Sequence, residues 1–264
     1  MELIDTHCHL DFEPLSDLSN MSTLDHTLGL AKAEGVSTIV LPAVTASRWS
    51  RVLDLCGLNT EIQLIPALGL HPCFLDDHAD QDLLHLESLL TTYKDTVKAI
   101  GETGLDLFIE NPRINRQLEL LNKQIELAIA FDLPLILHGR RSVDQLLKLL
   151  RRARPQAGGV VHAFSGSEQQ AAQLWELGFH IGLGGSITYE RAQRLRRVAA
   201  SVPLESILLE TDAPDMPLCG FQGEPNWPHR VSVVARTLAN IRGVDVEQIA
   251  AQTTANARRT FALS

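Results

Sequence analysis

Short apolar runs rich in Val, Ile and Leu punctuate the chain at residues 3–4, 38–41, 62–68, 97–100, 134–137, 159–161, 179–182 and 207–209. Near-continuous apolar runs of this length read as strands buried on both faces, as in a parallel sheet. Between them lie stretches with helical spacing and recognisable ends. Residues 22–34 stop at Gly35, residues 113–131 follow Pro112, and residues 168–177 follow Ser167 and stop at Gly178; two further helices are predicted at 231–240 and 246–261. A polar residue before a helix and a glycine after it satisfy the backbone groups left open at its ends. This alternation of strand and helix predicts an α/β fold of the TIM (β/α)8 type, one domain over residues 1–264. The alternative is a doubly wound sheet, but no GxGxxG follows the first strand as a dinucleotide fold would require.

Composition supports a globular protein that needs no staples: of 264 residues, 45% are hydrophobic and 21% charged. The balance of 23 Lys and Arg against 32 Asp and Glu leaves a formal charge of −9. That argues against a broad basic surface coating nucleic acid, though not against a local cationic pocket. Cys8, Cys56, Cys73 and Cys219 form no CxxC pair, so neither a zinc ribbon nor a redox motif is present, and free thiols fit a reducing compartment. The N-terminus has no basic and apolar leader pattern, and the most apolar stretch, 125–137, is broken by Glu126, Asp132 and Pro134, short of the ~20 residues of a membrane span. The expectation is a cytoplasmic protein with no membrane association and no obligate protein partner.

The candidate chemistry lies where strands end. The first strand runs into His7-Cys8-His9, and residues two apart in an extended chain point the same way, so both imidazoles can reach one point. Alone, the pair points to a metal only weakly, since ordinary strand histidines are the other reading. The fourth strand, however, ends in Gly101-Glu102-Thr103-Gly104-Leu105-Asp106, the fifth in His138-Gly139-Arg140, the sixth in His162-Ala163-Phe164-Ser165-Gly166, and the eighth in Glu210-Thr211-Asp212-Ala213-Pro214. In a barrel these ends share one face, so His7, His9, Glu102, His138, His162 and Asp212 are expected to meet in one cavity. Burying such groups without a cation costs several kcal/mol each.

These motifs, together with Asp5-Thr6-His7-Cys8-His9-Leu10-Asp11 and Gly69-Leu70-His71-Pro72, resemble the TatD-type metal-dependent hydrolases, often described as deoxyribonucleases, and within them the YjjV-like branch. They run in the family's order from residue 5 to 214. The resemblance implies a TIM barrel with a two-metal centre. By position, His7 and His9 would hold one metal and His138 and His162 the other, with Glu102 bridging; Asp212 would bind the first metal and orient the attacking water. Glu102 and Asp212 are thus the expected catalytic groups. Four imidazoles and two carboxylates suit zinc, iron or manganese better than magnesium, and zinc is the first expectation.

Around this set, Arg140 could fork onto a phosphate or pair with a neighbouring carboxylate. His71 could contact substrate or only start a helical turn, and Asp106 could hydrogen-bond a ligand histidine or only cap the next helix. Phe74, Phe108, Phe221 and Trp227 fall in loops where they could stack on bases or merely anchor those loops. His26, His78, His85, His180 and His229 read as structural, Cys8 as a core residue facing away from its neighbours, Arg151, Arg152 and Arg154 as a helix end, and Arg194, Arg196 and Arg197 as a solvated helix face. One departure from the family pattern stands out: in the loop after Pro214, the family's usual Arg-Asn-Glu-Pro run is reduced to Glu224-Pro225. Ala163 also replaces the Cys common after the sixth-strand histidine, a change expected to be harmless. Three functions are compatible with these residues: a metal-dependent nuclease acting on DNA, with cleavage from the 3′ end as one mode; a small-molecule amidohydrolase or esterase, aminoacyl-tRNA ester cleavage included; and a non-catalytic barrel whose metals serve folding.

Overall fold

The computed structural model describes residues 1–16 and 21–263. Its strands β1 (Leu3–Asp5), β2 (Val36–Pro42), β3 (Gln63–Leu68), β4 (Ala99–Asp106), β5 (Leu135–Arg140), β6 (Gly159–Val161), β7 (Phe179–Leu183) and β8 (Ile207–Leu209) form one sheet in sequence order. Each pairs in parallel with the next. The helices α1 (Met21–Ala33), α2 (Trp49–Cys56), α3 (Gln81–Thr92), α4 (Ile114–Phe131), α5 (Val143–Ala153), α6 (Glu168–Glu176) and α7 (Gln193–Ser201) alternate with the strands, α8 (Val231–Arg242) and α9 (Val246–Phe261) follow β8, and short 3-10 turns precede α2, α3, α7, β8 and α8. This is the expected TIM barrel.

Local sequence accounts for the element ends. A capping box starts α6, where the Ser167 side chain accepts from Gln170 N–H and the Gln170 side chain accepts from Ser167 N–H. Gly243 ends α8 in the left-handed conformation that costs a glycine little. The strand runs fall within about two residues of expectation, except that β4 and β5 extend further toward their C-terminal ends.

Two apolar regions hold the barrel. Leu, Ile and Val from the outer strand faces pack against the helices. Inside the lumen, Ile4, Val40, Ile65, Ala67, Ala99, Ile136, Val160 and Leu208 form a separate cluster, closed from below by Ala257 and Phe261 of α9. The Asn256 amide of α9 donates to the carbonyls of Leu204 and Ile207, each at 2.8 Å, and Thr254 donates to Glu2 O, so α9 is fixed across the N-terminal ends of β1 and β8. Closure between β1 and β8 comes just beyond the short strands. Thr6 N donates to Leu209 O at 3.0 Å, Asp212 N to His7 O at 2.9 Å, and His9 N to Ala213 O at 2.8 Å. The seam of the barrel therefore runs through two of the expected ligand segments.

Candidate metal centre

Asp5, at the end of β1, organises that seam. Its Oδ1 accepts from Thr211 N at 2.9 Å and His7 N at 3.3 Å, and its Oδ2 accepts from Thr211 Oγ1 at 2.6 Å. One buried carboxylate thus sets the directions of the segments carrying His7 and Asp212. Asp212 has φ 58 and Ala163 has φ 44, left-handed conformations that cost residues with a Cβ of order 1–3 kcal/mol and cluster at functional positions.

All six expected ligands meet at the C-terminal mouth, with Glu102 at their centre. It lies where the register of β4 against β5 shifts, between Ile100 and Thr103. Its two oxygens face different partners. Oε2 is 3.2 Å from His7 Nε2 and 3.4 Å from His9 Nε2, while Oε1 is 2.7 Å from His162 Nε2 and 3.0 Å from His138 Nδ1. Asp212 Oδ1 closes the first group, 3.5 Å from both His7 Nε2 and His9 Nε2. The rings of His7 and His162 stack with centroids 3.9 Å apart, joining the two groups.

These spacings fit metal coordination. Donors at ~2.0–2.1 Å from a tetrahedral ion lie roughly 1.6 times that distance apart, about 3.3 Å. His7 Nε2 and His9 Nε2 are 3.3 Å apart, and His138 Nδ1 and His162 Nε2 are 3.2 Å apart. Neutral imidazoles that present lone pairs to each other at this distance need either a proton or a cation between them. The groups His7–His9–Glu102 and Glu102–His138–His162 each bring their ligand atoms within 4.8 Å of one another.

The charges respond to this crowding. Burial tends to neutralise Glu102, but the imidazoles of His71, His162 and His7 and the hydrogen bond from His138 hold its pKa well below the usual carboxylate range. Asp212 is also lowered: burial opposes ionisation, and the His9 hydrogen bond with the His162 and His7 charges outweighs it. Burial lowers His7 to about 4, with His162 adding repulsion. For His162 burial is overcome by the Glu102 carboxylate, which lifts it to about 9, and His9 and His138 are raised by their carboxylate hydrogen bonds. Without a cation, then, protons on several histidines balance the carboxylates.

The outer residues resolve in different ways. His71 starts the helical turn, as one of its two readings has it: its Nδ1 accepts from Cys73 N at 3.1 Å, within a turn begun by Pro72, and its Nε2 makes a bond that was not expected, donating to Glu102 Oε1 at 3.0 Å. Asp106 Oδ2 lies 2.9 Å from His138 Nε2, while Oδ1 accepts from Phe108 N and Ile109 N; it caps that turn rather than α4. Arg140 is not brought to the ligands. It is exposed, with its guanidinium 3.8 Å above the Phe108 ring, and Arg141 flanks the same ring at 4.4 Å. A cavity of about 180 Å³ opens over the cluster, with Phe12, Val44, Phe74, Pro214 and Asp215 completing its walls. Trp227 instead packs against the core and faces His26. Phe221 lies under Arg230 at 3.9 Å, and Arg230 also bonds Pro225 O and Glu224 Oε2, so a guanidinium from the turn before α8 fills the loop that lacks the family's usual arginine.

Some readings change. Arg194 and Arg196 do not belong to a purely solvated face: Arg194 donates to Ser165 O, and Arg196 to Ile187 O at 2.7 Å, because the α7 surface borders the loops after β6 and β7. His78 is structural as expected, and it acts at the site's edge by donating to His71 O at 2.8 Å. Cys8 is fully buried in the core. Two groups were missed. Glu210 projects into the lumen against Gly182, where any Cβ would collide with its carboxylate; it accepts from Ala163 N at 2.5 Å, lies 3.9 Å from His162 Nδ1, and is pushed by burial to about 7. Its place two residues beyond inward-facing Leu208 was the available signal. Phe12 carries Arg48 over its ring at 3.5 Å, and nothing local marked that pair.

The profile of the family described as TatD related DNase matches residues 4–262. Over 247 residues the chain is 47% identical to a protein of Escherichia coli (strain K12) described as uncharacterized metal-dependent hydrolase YjjV, covering 94% of this chain and 93% of the relative. A Haemophilus influenzae protein described as an uncharacterized metal-dependent hydrolase is 37% identical over 271 residues, covering 99% of this chain and 100% of that one. The crystal structure of YjjV, a TatD homolog from E. coli K12, matches with a TM-score of 0.94 and 45% identity over 99% of this chain and 98% of that one. No helix among the described residues is long and apolar enough to cross a membrane.

Proposed function

The chain belongs to the TatD family of metal-dependent hydrolases, and from that premise we propose a deoxyribonuclease that hydrolyses phosphodiester bonds from the 3′ end of a strand, with two divalent cations, zinc first among them, as cofactors. The observation that carries the choice of nucleic acid is the rim at Phe108, whose ring lies beneath the exposed guanidiniums of Arg140 and Arg141; Arg48 and Arg230 also lie over rings, those of Phe12 and Phe221, but are paired with Asp11 and Glu224. A ring offers a base a stacking surface, and the guanidinium beside it offers a phosphate its counter-charge. This local arrangement works despite the net charge of −9. The narrow cavity favours a strand end over a duplex.

Bound cations would supply positive charge that polarises the scissile phosphodiester and acidifies water. His7, His9 and Asp212 would hold one, His138 and His162 the other, with Glu102 between them. Asp212 is kept ionised and its side chain is 14% exposed toward the cavity, so it can accept a proton from the attacking water. Asp106 fixes the ring of His138 through Nε2. The four cysteines are free, which fits a reducing cytoplasmic setting.

The test is metal-reconstituted protein offered 5′-labelled single-stranded DNA, duplex DNA, RNA, simple esters and aminoacyl-tRNA. Progressive shortening from the 3′ end is expected, with Asp212→Asn slower by about 10²–10⁴-fold. Turnover of small esters or amides with DNA left intact would move the assignment to the amidohydrolase reading.

A further inference from the structure

We propose an outer cation site at the lip of the cavity, built from Cys73, Asp106 and His138 and suited to a thiophilic divalent ion such as zinc or cobalt. The ligand atoms of Cys73 and His138 lie within 4.8 Å of one another, and His71 stands beside them as a support, its Nδ1 accepting from Cys73 N and its Nε2 donating to Glu102. Asp106 Oδ2 joins them, 3.4 Å from Cys73 Sγ and 2.9 Å from His138 Nε2. The site is distinct from the inner cluster because His138 presents two edges. Its Nδ1 faces Glu102 and His162 at 3.0 and 3.2 Å, and its Nε2 faces outward.

The pieces are held in place before any ion arrives. Asp106 Oδ1 is occupied by the amides of Phe108 and Ile109, which leaves Oδ2 for the cluster. The turn carrying His71 and Cys73 is fixed by the bonds from Cys73 N to His71 Nδ1 and from His78 to His71 O. Cys73 is exposed, so an ion can reach it directly from solvent. Sulfur, nitrogen and carboxylate oxygen together select zinc or cobalt and disfavour magnesium and calcium. On binding, Cys73 releases its S–H proton and His138 the Nε2 proton it shares with Asp106, both to solvent. Sulfur–metal and nitrogen–metal bonds form, and no oxidation state changes. The ion takes Asp106 from His138 and narrows the cavity lip, so excess zinc slows turnover.

The inference does not depend on the substrate, and its test reads metal directly. Cobalt titration of the whole protein is expected to give a near-ultraviolet thiolate-to-cobalt absorption in the wild type and in Cys219→Ser, absent in Cys73→Ser. Zinc content after desalting is expected to fall by one ion per chain in Cys73→Ser. In unmodified protein, zinc should slow iodoacetamide labelling of Cys73 by about tenfold or more, read by peptide mass spectrometry, and leave labelling of exposed Cys219 unchanged. The proposal is overturned if the absorption is absent from wild type or persists in Cys73→Ser, if zinc content is equal, or if Cys73 labels at the same rate with and without zinc.

Discussion

The two ends of the barrel lumen are made by the same strands yet obey opposite rules. Along β5, inward-facing Ile136 is followed two residues later by His138; along β6, Val160 by His162; beyond β8, Leu208 by Glu210. The lower layer is a dry apolar plug completed by Phe261 of α9, and it gains from every group it buries. The upper layer buries imidazoles and carboxylates that compensate one another only through shared protons, or through cations. One step along a strand therefore separates the part of the lumen that contributes stability from the part where stability is given up for chemistry.

The largest expected effect falls on the upper layer. Glu102→Gln removes the carboxylate that faces both imidazole pairs, and hydrolysis should drop by about 10³-fold or more, while above pH about 9, where His162 no longer carries the proton that Glu102 stabilises, the metal-free protein melts no lower than wild type. A melting temperature that falls there together with activity would erase the contrast. In the lower layer, Phe261→Ala should cost about 3–5 kcal/mol in denaturant unfolding, with metal content and turnover per folded molecule unchanged. Asp5→Ala tests the link between the layers: losing the acceptor for His7 N, Thr211 N and Thr211 Oγ1 should cost about 3 kcal/mol and weaken metal binding as well.

Protons sharpen the comparison further. His162 is raised to about 9 and His9 and His138 are raised too, so loading at neutral pH must displace their protons. Affinity for zinc should weaken as pH falls from about 9, and calorimetry in buffers of different protonation enthalpy should report net proton release. In the metal-free state the sign reverses for stability. The folded pKa of His162 lies above its ordinary 6.5, so its contribution is full below about 6.5 and lost as pH rises through about 9. The smallest effect is expected at the rim: Arg140→Ala should raise KM for single-stranded DNA by only about 3–10-fold, with kcat little changed, in steady-state kinetics.

Much of this was legible from sequence. The apolar runs located the strands because a strand buried on both faces leaves no room for polar positions. β4 is the informative exception. Its pattern ends at Ile100, yet the strand continues to Asp106 through residues that locally resemble a turn. Pairing with β5 holds it, and Gly104 has φ +145 with His138 backbone so near that no Cβ would fit. That the six expected ligands come to one rim was legible because each lies in the C-terminal part of a barrel strand or just beyond it, and those ends share one face. Arg140 was not, since spacing placed it beside His138 while the Phe108 ring drew it to the rim.

What the sequence determined by itself is which side chains share a face and a rim, because period-two alternation and strand order are carried by residues close together in the chain. Only the tertiary structure decided how those side chains aim: the division of Glu102 between two imidazole pairs, the two edges of His138, and the hold of Asp5 on Thr211, 206 positions away. Such directions depend on distances between remote segments, and those distances exist only once the barrel has closed.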